Sequence, residues 1–514
     1  MAHHGWISVL DPRTLAPSAL KSPFGRLFEA SNHAYDSLAL SMLAGARGPI
    51  EQIAPTPVPP PPGGKPGNPA GFTFLGQFID HDMTEFRVVA QDLALVHQNP
   101  TLGQRQRVLE DGGQPTATNG RIPSLDLDSV YGLLGVAQPD LYDDDGLFLL
   151  DNDVDILRGA AFNNGRLIAD PRNDENKLIV QIHILFQRLH NAIHAAATGS
   201  ASDKRPGGDV FKATKLEVQN AYRRIVLHDY LPNIVQKEHI DAVLAALAAK
   251  TTLYQAMIAR AREAYLRAVA SEGVADLLAM PVEFAHAAFR LGHSQLREGY
   301  ALNARGGAPL FAPGRDLRGK AKLSDGDFVV DWELFFDAPS PTPTAQHGEP
   351  LDARLAKAVF RLPPPSIGEP PASLAERNIR RGVDFGLPSG QEAAARLTDI
   401  YGGLVPGLRG DQLFPPSEFG DFPEILQLAP SLVWATPLWY YILREAGLYT
   451  ADRQLGAVGG LIVAETILGS LDEIQNAEFD LQVEARAAPL AGAPSSPAGI
   501  ASMTQLLQFI GVFS

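Results

Sequence analysis

The chain has 514 residues, of which 45% are hydrophobic, and a formal net charge of −15 at pH 7. The length allows one large core or several domains, and the negative charge argues against nucleic-acid binding, because phosphates are bound by clustered Lys and Arg. The absence of cysteine excludes disulfides, thiolate metal sites and cysteine nucleophiles.

The N-terminal sequence MAHHGWISVLDPRTL lacks the basic segment followed by an apolar segment that marks a secretory signal peptide. No uncharged apolar run reaches the ~18 residues that a membrane-spanning helix needs. The nearest one, LGAVGGLIVAETILGSL at 455–471, is interrupted by Glu465 and is better explained as a buried helix. We therefore expect no membrane span, and a location in the cytoplasm or export by a route that uses no signal peptide.

Helical periodicity dominates the chain. In ENKLIVQIHILFQRLHNAIH (175–194), apolar residues recur at three- and four-residue spacing, and Asp170-Pro171 is a typical helix start shortly before it. The segments 215–235, 239–270 and 281–296 show the same period, whereas alternating strand patterns are few and short. Pro- and Gly-rich segments separate the helices, but none resembles a linker between two cores. The sequence predicts a mainly α protein, with one large helical domain over residues 1–514 and long irregular loops.

The first motif that could carry chemistry is GQFIDHDMTEF at 76–86, which follows an apolar run. Gln77 and His81 are four residues apart and share one helix face, with Asp80 close to that face. A lone histidine on a helix is more often a core residue than a functional one. The flanking amide and carboxylates, including Asp82, favour a functional site.

The segment PSLDLDSVYG at 123–132 is rich in oxygen ligands. Asp126 and Asp128, together with backbone carbonyls, are hard ligands of the kind that calcium prefers. An EF-hand loop that began at Asp126 would need Gly at position 131 and Glu at position 137, and neither is present. The segment therefore indicates an oxygen-ligand site of another type.

A third motif, ADPRNDENKL at 169–178, places Arg172 and Glu175 three residues apart at a predicted helix start, so both can face one site. By itself this pattern would be explained as a surface helix cap with a local ion pair.

The fourth motif, EFAHAAFRLGHSQL at 283–296, contains two histidines. Small residues and Gly292 precede His293, and they would let a flat, bulky group approach it. This suits an axial haem ligand, but it also suits tight helix packing. His286 lies two helical turns earlier and nearly on the same face, so spacing alone does not choose between the two.

In their order along the chain, six segments resemble the animal-type haem peroxidase superfamily, which includes peroxidases and the cyclooxygenases. The resemblance covers about residues 20–475. Each segment alone is weak evidence for the family, but the occurrence of all six in the family's order is strong evidence. The segments are GQFIDHD, LDLDSVYG, DPRNDEN…HILFQRLHN, EFAHAAFRLGHS, RNIRRGVDFGLP and GGLIVAETIL.

The resemblance implies haem b and calcium as cofactors. It implies His293 as the iron ligand and Asn378 as the residue that accepts a hydrogen bond from the imidazole N–H of His293. The residues implied on the opposite haem face are His81, Arg172 and Gln77. Ester bonds to haem methyl groups are implied for Asp80 and Glu175. The implied calcium ligands are Asp82, Ile122, Ser124, Asp126 and Asp128, although the family often has Thr where Ile122 stands.

The implied reaction is the reduction of hydrogen peroxide and the oxidation of a small donor such as a halide, thiocyanate or a phenol. His81 would transfer a proton between the two peroxide oxygens, a role typically worth ~10²–10⁴ in rate. Arg172 would stabilise the developing negative charge, and Gln77 would orient a water. Calcium bound by Asp82 would hold the adjacent His81 in place.

Two departures from the family pattern bear on function. Cyclooxygenases carry a radical-forming tyrosine three residues before the iron ligand, where this chain has Arg290. They also lack the ester aspartate, so a peroxidase is favoured over a fatty-acid dioxygenase. Myeloperoxidase has a methionine after its ester glutamate, where this chain has Asn176. We therefore expect no sulfonium link to haem and weaker oxidation of chloride.

Two further alternatives are a haem carrier without catalysis and a purely structural helical protein. A carrier needs no acid–base group on the open face of iron, so the presence of Gln77, His81 and Arg172 argues against it. The ordered set of motifs argues against the structural protein.

Overall fold

The computed structural model describes residues 8–10, 24–52, 67–89, 117–132, 139–162, 165–269, 277–323, 326–340, 343–362, 372–450, 453–474, 479–487 and 492–513. The protein is mainly α, which confirms the predicted fold class. The helices up to residue 286 are α1 (Ser37–Ala44), α2 (Ala70–Met83), α3 (Asp128–Tyr131), α4 (Lys177–Ala196), α5 (Ala201–Lys204), α6 (Asp209–Ile225), α7 (Leu231–Ile234), α8 (Lys237–Ala249), α9 (Leu253–Val269) and α10 (Val282–His286).

The remaining helices are α11 (Leu374–Asp384), α12 (Gly390–Tyr401), α13 (Gly410–Leu413), α14 (Pro416–Phe419), α15 (Pro423–Leu428), α16 (Leu438–Tyr449), α17 (Ala457–Asp472), α18 (Leu481–Glu484) and α19 (Met503–Phe509). Two other segments matter for the site. Pro171–Asp174 and Ala288–His293 are 3₁₀ helices.

The strands in the described part of the chain are short. They are β1 (Ser8–Leu10), β2 (Phe24–Gly25), β3 (Phe86–Val89), β4 (Ala117–Asn119), β5 (Leu150–Asp151), β6 (Asp155–Ile156), β7 (Met280–Pro281), β8 (Gly299–Asn303) and β9 (Gly306–Pro309). β3 pairs in parallel with β1 and antiparallel with β4, and β2 pairs in parallel with β7. β5–β6 and β8–β9 are antiparallel pairs.

The main hydrophobic core extends from Phe24 to Phe513. That continuity agrees with the single domain expected from the sequence, which stays a prediction. Helix α17 is buried along almost its whole length. Its Glu465 accepts hydrogen bonds from the Tyr401 hydroxyl at 2.6 Å and the Tyr254 amide at 2.8 Å. In the described part of the chain, no single helix is long and apolar enough to cross a membrane. Only α8 and α9 taken together, with a bend of 44° between them, have the length and apolar composition that a membrane span needs.

Helix α2 is held in the core on two sides. Its Phe78 stacks on Phe186 of α4, with ring centroids 5.2 Å apart, and both rings meet Tyr222 of α6 edge-on. On another side, α2 packs against the 3₁₀ helix Ala288–His293. Phe78, within the GQFIDHD motif, thus anchors α2 in the core, whereas Gln77 and Asp80 of the same motif lie on the side of the 288–293 segment.

The expectation of one continuous helix over 281–296 is wrong. Ala287 has φ −138° and ψ −73°, outside the helical region, and it separates α10 from the 3₁₀ helix that ends at His293. His286 and His293 therefore do not share a helix face. The local propensity of alanine favours a helix here, but packing against α2 and α17 determines the observed path.

Candidate functional site

A small cleft of about 30 Å³ lies between α2 and the segment 288–296. The predicted site residues Gln77, Asp80 and His293 all line it. The described lining does not include His81, Arg172 or Glu175, which are buried or half-buried in the structure. The other lining residues are Phe72, Thr73, Gly76, Tyr230, Phe289, Arg290, Leu291, Gly292, Gln295 and Leu296.

His81 follows Asp80 on α2 and lies on the same helix face as Gln77. It is buried, and its Nδ1 is 2.9 Å from Oδ1 of Asn173. Burial and the nearby Arg172 cation lower the pKa of His81 to about 3. The imidazole is therefore neutral at pH 7, and it can accept a proton at the ring nitrogen that lacks one.

Arg172 is tied to the end of α2. Its Nη2 donates to the His81 carbonyl at 2.6 Å, and its Nη1 donates to the Thr84 carbonyl at 2.6 Å. The same guanidinium pairs with Asp170 at 2.7 Å, and Arg121 binds that carboxylate from another side at 2.5 Å. These two cations hold the pKa of Asp170 well below its usual range. The motif is a helix cap with a local ion pair, because Asp170 caps the 171–174 turn and pairs with Arg172, but Asp170 is buried rather than at the surface.

Gln77 and Asn176 form a second link between α2 and α4. Asn176 Nδ2 donates to Gln77 Oε1 at 3.3 Å, while Asn176 Oδ1 caps α4 by accepting from the amides of Leu178 and Ile179. Gln77 Nε2 is buried and has no hydrogen-bond partner among the described residues. A buried amide donor without a partner is costly. It therefore indicates that a molecule in the cleft accepts this hydrogen bond.

The two predicted ester carboxylates lie in different environments. Asp80 is half-buried in the cleft wall and accepts a hydrogen bond from Thr84 Oγ1 at 2.9 Å. Burial raises its pKa, and the charges of Arg290 and Arg172 oppose this rise. Glu175 is buried at the end of the turn that carries Arg172, and burial also raises its pKa.

His293 is buried in the opposite wall of the cleft. Its Nδ1 is 2.8 Å from Nδ2 of Asn378 on α11, and Arg290 Nη1 is 3.5 Å from the Asn378 Oδ1. Burial and Arg290 lower the pKa of His293 to about 3, so its imidazole is neutral. The pairing with Asn378 agrees with the sequence expectation, but the amide presents its nitrogen rather than its oxygen. An imidazole that binds iron through Nε2 donates from Nδ1, so that state requires a half-turn of the Asn378 amide.

His286 is separated from the cleft by the break at Ala287. Its ring packs against Phe24, Phe86 and Phe385, at centroid distances of 5.6, 5.6 and 4.1 Å. Neither ring nitrogen has a hydrogen-bond partner among the described residues. Of the two histidines that spacing could not separate, His293 alone lines the cleft.

The predicted calcium carboxylates come together next to α2. One oxygen each from Asp82, Asp126 and Asp128 lies within 4.8 Å of the others. Burial and Asp126 raise the pKa of Asp82 to about 7, and Oδ2 of the buried Asp128 has no partner among the described residues. Positive φ at Leu125 (52°) and Leu127 (56°) curls the chain around this point. Three carboxylate groups whose hard oxygens lie this close together fit a calcium ion.

The two further calcium ligands expected from the sequence, Ile122 and Ser124, precede Asp126 in the same loop. Ile122 is half-buried, and its carbonyl accepts from the Ser124 amide at 2.8 Å. The Ser124 carbonyl is 3.3 Å from Nη2 of Arg223. The Ile122 carbonyl keeps a second lone pair that a metal could use, whereas the Ser124 carbonyl also accepts from Nε of Arg223 at 3.4 Å.

The sequence reasoning missed Asn173, His183 and Tyr230. Asn173 lies within the motif already singled out, but its contact with His81 spans 92 residues. Tyr230 ends a π-helical turn, Val226–Tyr230, and lines the cleft opposite Gly76. Such turns are frequent at functional sites, but no pattern in the sequence marks them. Arg290 was considered only as a missing tyrosine, and it proves to be a half-buried cation in the cleft wall.

These features fit haem. The cleft has a neutral histidine in one wall, and the helix that forms the other wall carries a second neutral histidine and an amide donor, Gln77 Nε2, that has no hydrogen-bond partner among the described residues. Half-buried Arg290 supplies a positive charge in the cleft wall, which suits the carboxylates of a porphyrin.

Solved structures with a similar fold include, by their names, a peroxidase and a fatty acid alpha-dioxygenase. Peroxidase A from Dictyostelium discoideum is 15% identical, with a TM-score of 0.56 over 96% of this chain and 94% of that chain. A fatty acid alpha-dioxygenase from Oryza sativa is 14% identical, with a TM-score of 0.54 over 98% of this chain and 84% of that chain. At these identities the likeness shows the fold alone.

Sequence comparison adds the family. No curated protein matches the chain significantly. A sequence model of the animal haem peroxidase family matches residues 125–393, which is just over half of the chain. The chain therefore belongs to the animal haem peroxidase family.

Proposed function

We propose that this protein is a haem-dependent peroxidase that reduces hydrogen peroxide and oxidises a small donor such as a halide, thiocyanate or a phenol. The observation that carries the proposal is that two neutral, hydrogen-bonded histidines lie on opposite sides of one cleft. His293 lies in one wall, and His81 lies on the helix that forms the other wall.

His293 is the residue that would hold the iron, and Asn378 would fix its ring once the amide presents Oδ1. Arg290 would face the carboxylates of the porphyrin. Bound haem supplies the metal that binds peroxide and accepts its oxidising equivalents.

The residues on α2 and in the 171–174 turn supply the proton chemistry. His81 holds its Nδ1 proton against Asn173, which leaves Nε2 to take up a proton and return it. Arg172 places a positive charge beside this exchange and so favours negative charge on the reacting oxygen. Gln77 Nε2 has a hydrogen bond to donate to a water or peroxide oxygen in the cleft.

Calcium is proposed to bind the cluster Asp82, Asp126 and Asp128. Asp82 is covalently adjacent to His81, and it accepts hydrogen bonds from Leu127 and Ser129. A cation at this point would fix the end of α2 and therefore the position of His81.

The alternative is a fatty-acid dioxygenase, an activity that the similar Oryza sativa structure has by its name. The chain lacks the tyrosine three residues before His293 and has Arg290 in that place. Tyr230 is the one phenol among the described residues that line the cleft. It is therefore the candidate radical site if oxygenation is observed.

The test uses the haem-loaded protein mixed with hydrogen peroxide, with iodide, bromide, a phenol and a polyunsaturated fatty acid offered in turn. We expect peroxide-dependent oxidation of a small donor. In His81→Ala we expect the peroxide reaction to be slower by ~10²–10⁴-fold, because a positioned base is lost, while the haem absorption band is retained. The control is His190→Asn, which changes a buried histidine that contacts Tyr131 and Gly146 and should react like the wild type.

Two results would contradict the proposal. Oxygen uptake with the fatty acid alone would favour the dioxygenase. An unchanged peroxide reaction in His81→Ala would remove the proposed base.

A further inference from the structure

A row of three buried side chains runs from α2 to α4. His81 Nδ1 is 2.9 Å from Asn173 Oδ1, and Asn173 Nδ2 is 3.1 Å from Nδ1 of His183. Asn173 and His183 are fully buried, and His81 nearly so. Only His81 was identified from the sequence.

The orientation of Asn173 follows from its other neighbour. Asn173 Nδ2 also lies 3.5 Å from the Ser129 carbonyl, which can only accept a hydrogen bond. The amide nitrogen therefore faces Ser129 and His183, and the amide oxygen faces His81. An amide oxygen only accepts, so His81 must carry its proton on Nδ1 and its lone pair on Nε2.

The same reasoning determines the tautomer of His183. Its Nδ1 accepts from Asn173, so its own proton is on Nε2. That nitrogen is buried and has no hydrogen-bond partner among the described residues. An apolar residue at position 183 would avoid the cost of burying it, so packing alone does not account for a histidine here.

We propose that Asn173 and His183 are positioning residues that fix His81 in the tautomer with its lone pair on Nε2. Asn173 holds the ring directly, and His183 holds Asn173 in the required orientation. The inference rests on the proposed function, because it concerns which nitrogen of the proposed base is available. A neutral histidine can exchange tautomers, and the wrong tautomer presents a proton where an acceptor is needed.

The variants separate this role from packing. Asn173→Ala removes the acceptor for His81. His183→Leu removes the acceptor for Asn173, whereas His183→Asn places an amide oxygen near the position of Nδ1 and keeps it. His190→Asn is again the control, since His190 lies two turns along the same helix with other partners.

The readout is the rate at which cyanide binds to the ferric haem-loaded protein at neutral pH, measured alongside the peroxide reaction. Hydrogen cyanide must give up its proton to a base in order to bind, so the rate reports the lone pair on His81 Nε2. We expect Asn173→Ala to slow cyanide binding by ~10–100-fold and His183→Leu by about 10-fold, the range found for residues that orient a metal-site group. We expect His183→Asn to recover most of the wild-type rate. Nitrogen NMR of histidine-labelled protein in the diamagnetic ferrous carbon monoxide form should show an Nδ1-protonated His81 in the wild type and a mixture of tautomers in His183→Leu.

The outcomes distinguish this inference from the proposed function. If His81→Ala leaves both reactions unchanged, the proposed function fails. If His81→Ala slows them but Asn173→Ala and His183→Leu do not, only the present inference fails. An equal loss of the cyanide-binding rate in His183→Leu and His183→Asn would show that His183 acts through packing. Comparison of these two variants tests the inference even if Asn173→Ala does not fold.

Discussion

At the scale of single residues, Asp80 differs from Glu175 because its carboxyl group reaches the cleft. Ester formation replaces a methyl C–H bond of haem with a C–O bond and releases two electrons and a proton, which peroxide can accept. We predict that after treatment with peroxide, acidified solvent will no longer extract all the haem from the wild type. Asp80→Asn should increase the extractable fraction, and denaturing mass spectrometry would show the change.

The matched variant for this prediction is Glu175→Gln, which tests the second carboxylate without altering the first. If the haem of the wild type remains fully extractable after peroxide, neither ester forms. If Glu175→Gln alone restores extraction, the link uses Glu175 and the position of Asp80 in the cleft wall has no part in it.

Some residue positions could be predicted from the sequence and others could not. The placement of Gln77, His81 and Asp82 on one helix requires only the 3.6-residue period. The partners Asn173 and His183 depend on how the 171–174 turn and α4 dock against α2, and no local pattern encodes that docking. The sequence resemblance assigned Asn378 to His293, but it did not determine which end of the amide faces the ring.

At the scale of structural elements, α3 connects the acidic cluster to the proposed base through Ser129. Asp82 on α2 accepts from the Ser129 hydroxyl at 2.9 Å, and the Ser129 carbonyl faces Asn173, which holds His81. We predict that removing calcium with a chelator will lower the thermal midpoint and slow the peroxide reaction. An ion that binds only the native state stabilises it by ~2.7 kcal/mol when its free concentration is 100 times Kd.

The chelation experiment has an internal control. Restoring calcium should recover both the thermal midpoint and the rate, whereas magnesium should not, because that smaller ion demands octahedral geometry and keeps its waters. If the chelator changes neither property, Arg121, Lys215 and Arg223 balance the acidic cluster without a metal.

Like the residues, some elements could be predicted from the sequence and others could not. The period of 175–194 correctly predicts the long helix α4, because its buried face is continuous. The segment 281–296 has equally good helical composition, but the break at Ala287 is imposed by packing. Without that break, His286 would compete with His293 for the cleft, so the site depends on a feature that helix propensity opposes.

At the scale of the whole molecule, the core contains both buried acids and buried histidines. Burial raises the pKa of Glu445 to about 8 and lowers the pKa of His190 to about 3, so both groups are neutral in the folded protein at pH 7. In the unfolded chain, the acid ionises above pH 4.5 and the histidine is protonated below pH 6.5. The contribution of His190 therefore lowers the folding stability as pH falls below 4.5, and the contribution of Glu445 lowers it as pH rises above 6.5; between these two pH values the two effects oppose each other.

Glu445 provides the clearest test of this balance. Its Oε2 accepts from the amides of Val458 and Gly459 at the start of α17, and its Oε1 is buried with no hydrogen-bond partner among the described residues. Between pH 4.5 and about 8 the folded state keeps a proton that the unfolded state has lost, so the contribution of this group to stability decreases as pH rises, by ~1.4 kcal/mol per pH unit. Glu445→Gln stays neutral and should lack this slope, so in urea unfolding it should gain stability over the wild type from pH 6 to pH 8. Glu424→Gln, which changes an exposed acid, should follow the wild type. A wild-type slope retained in Glu445→Gln would mean that Glu445 is ionised in the folded core, and a counter-charge for it would then have to be found at the junction of α16 and α17.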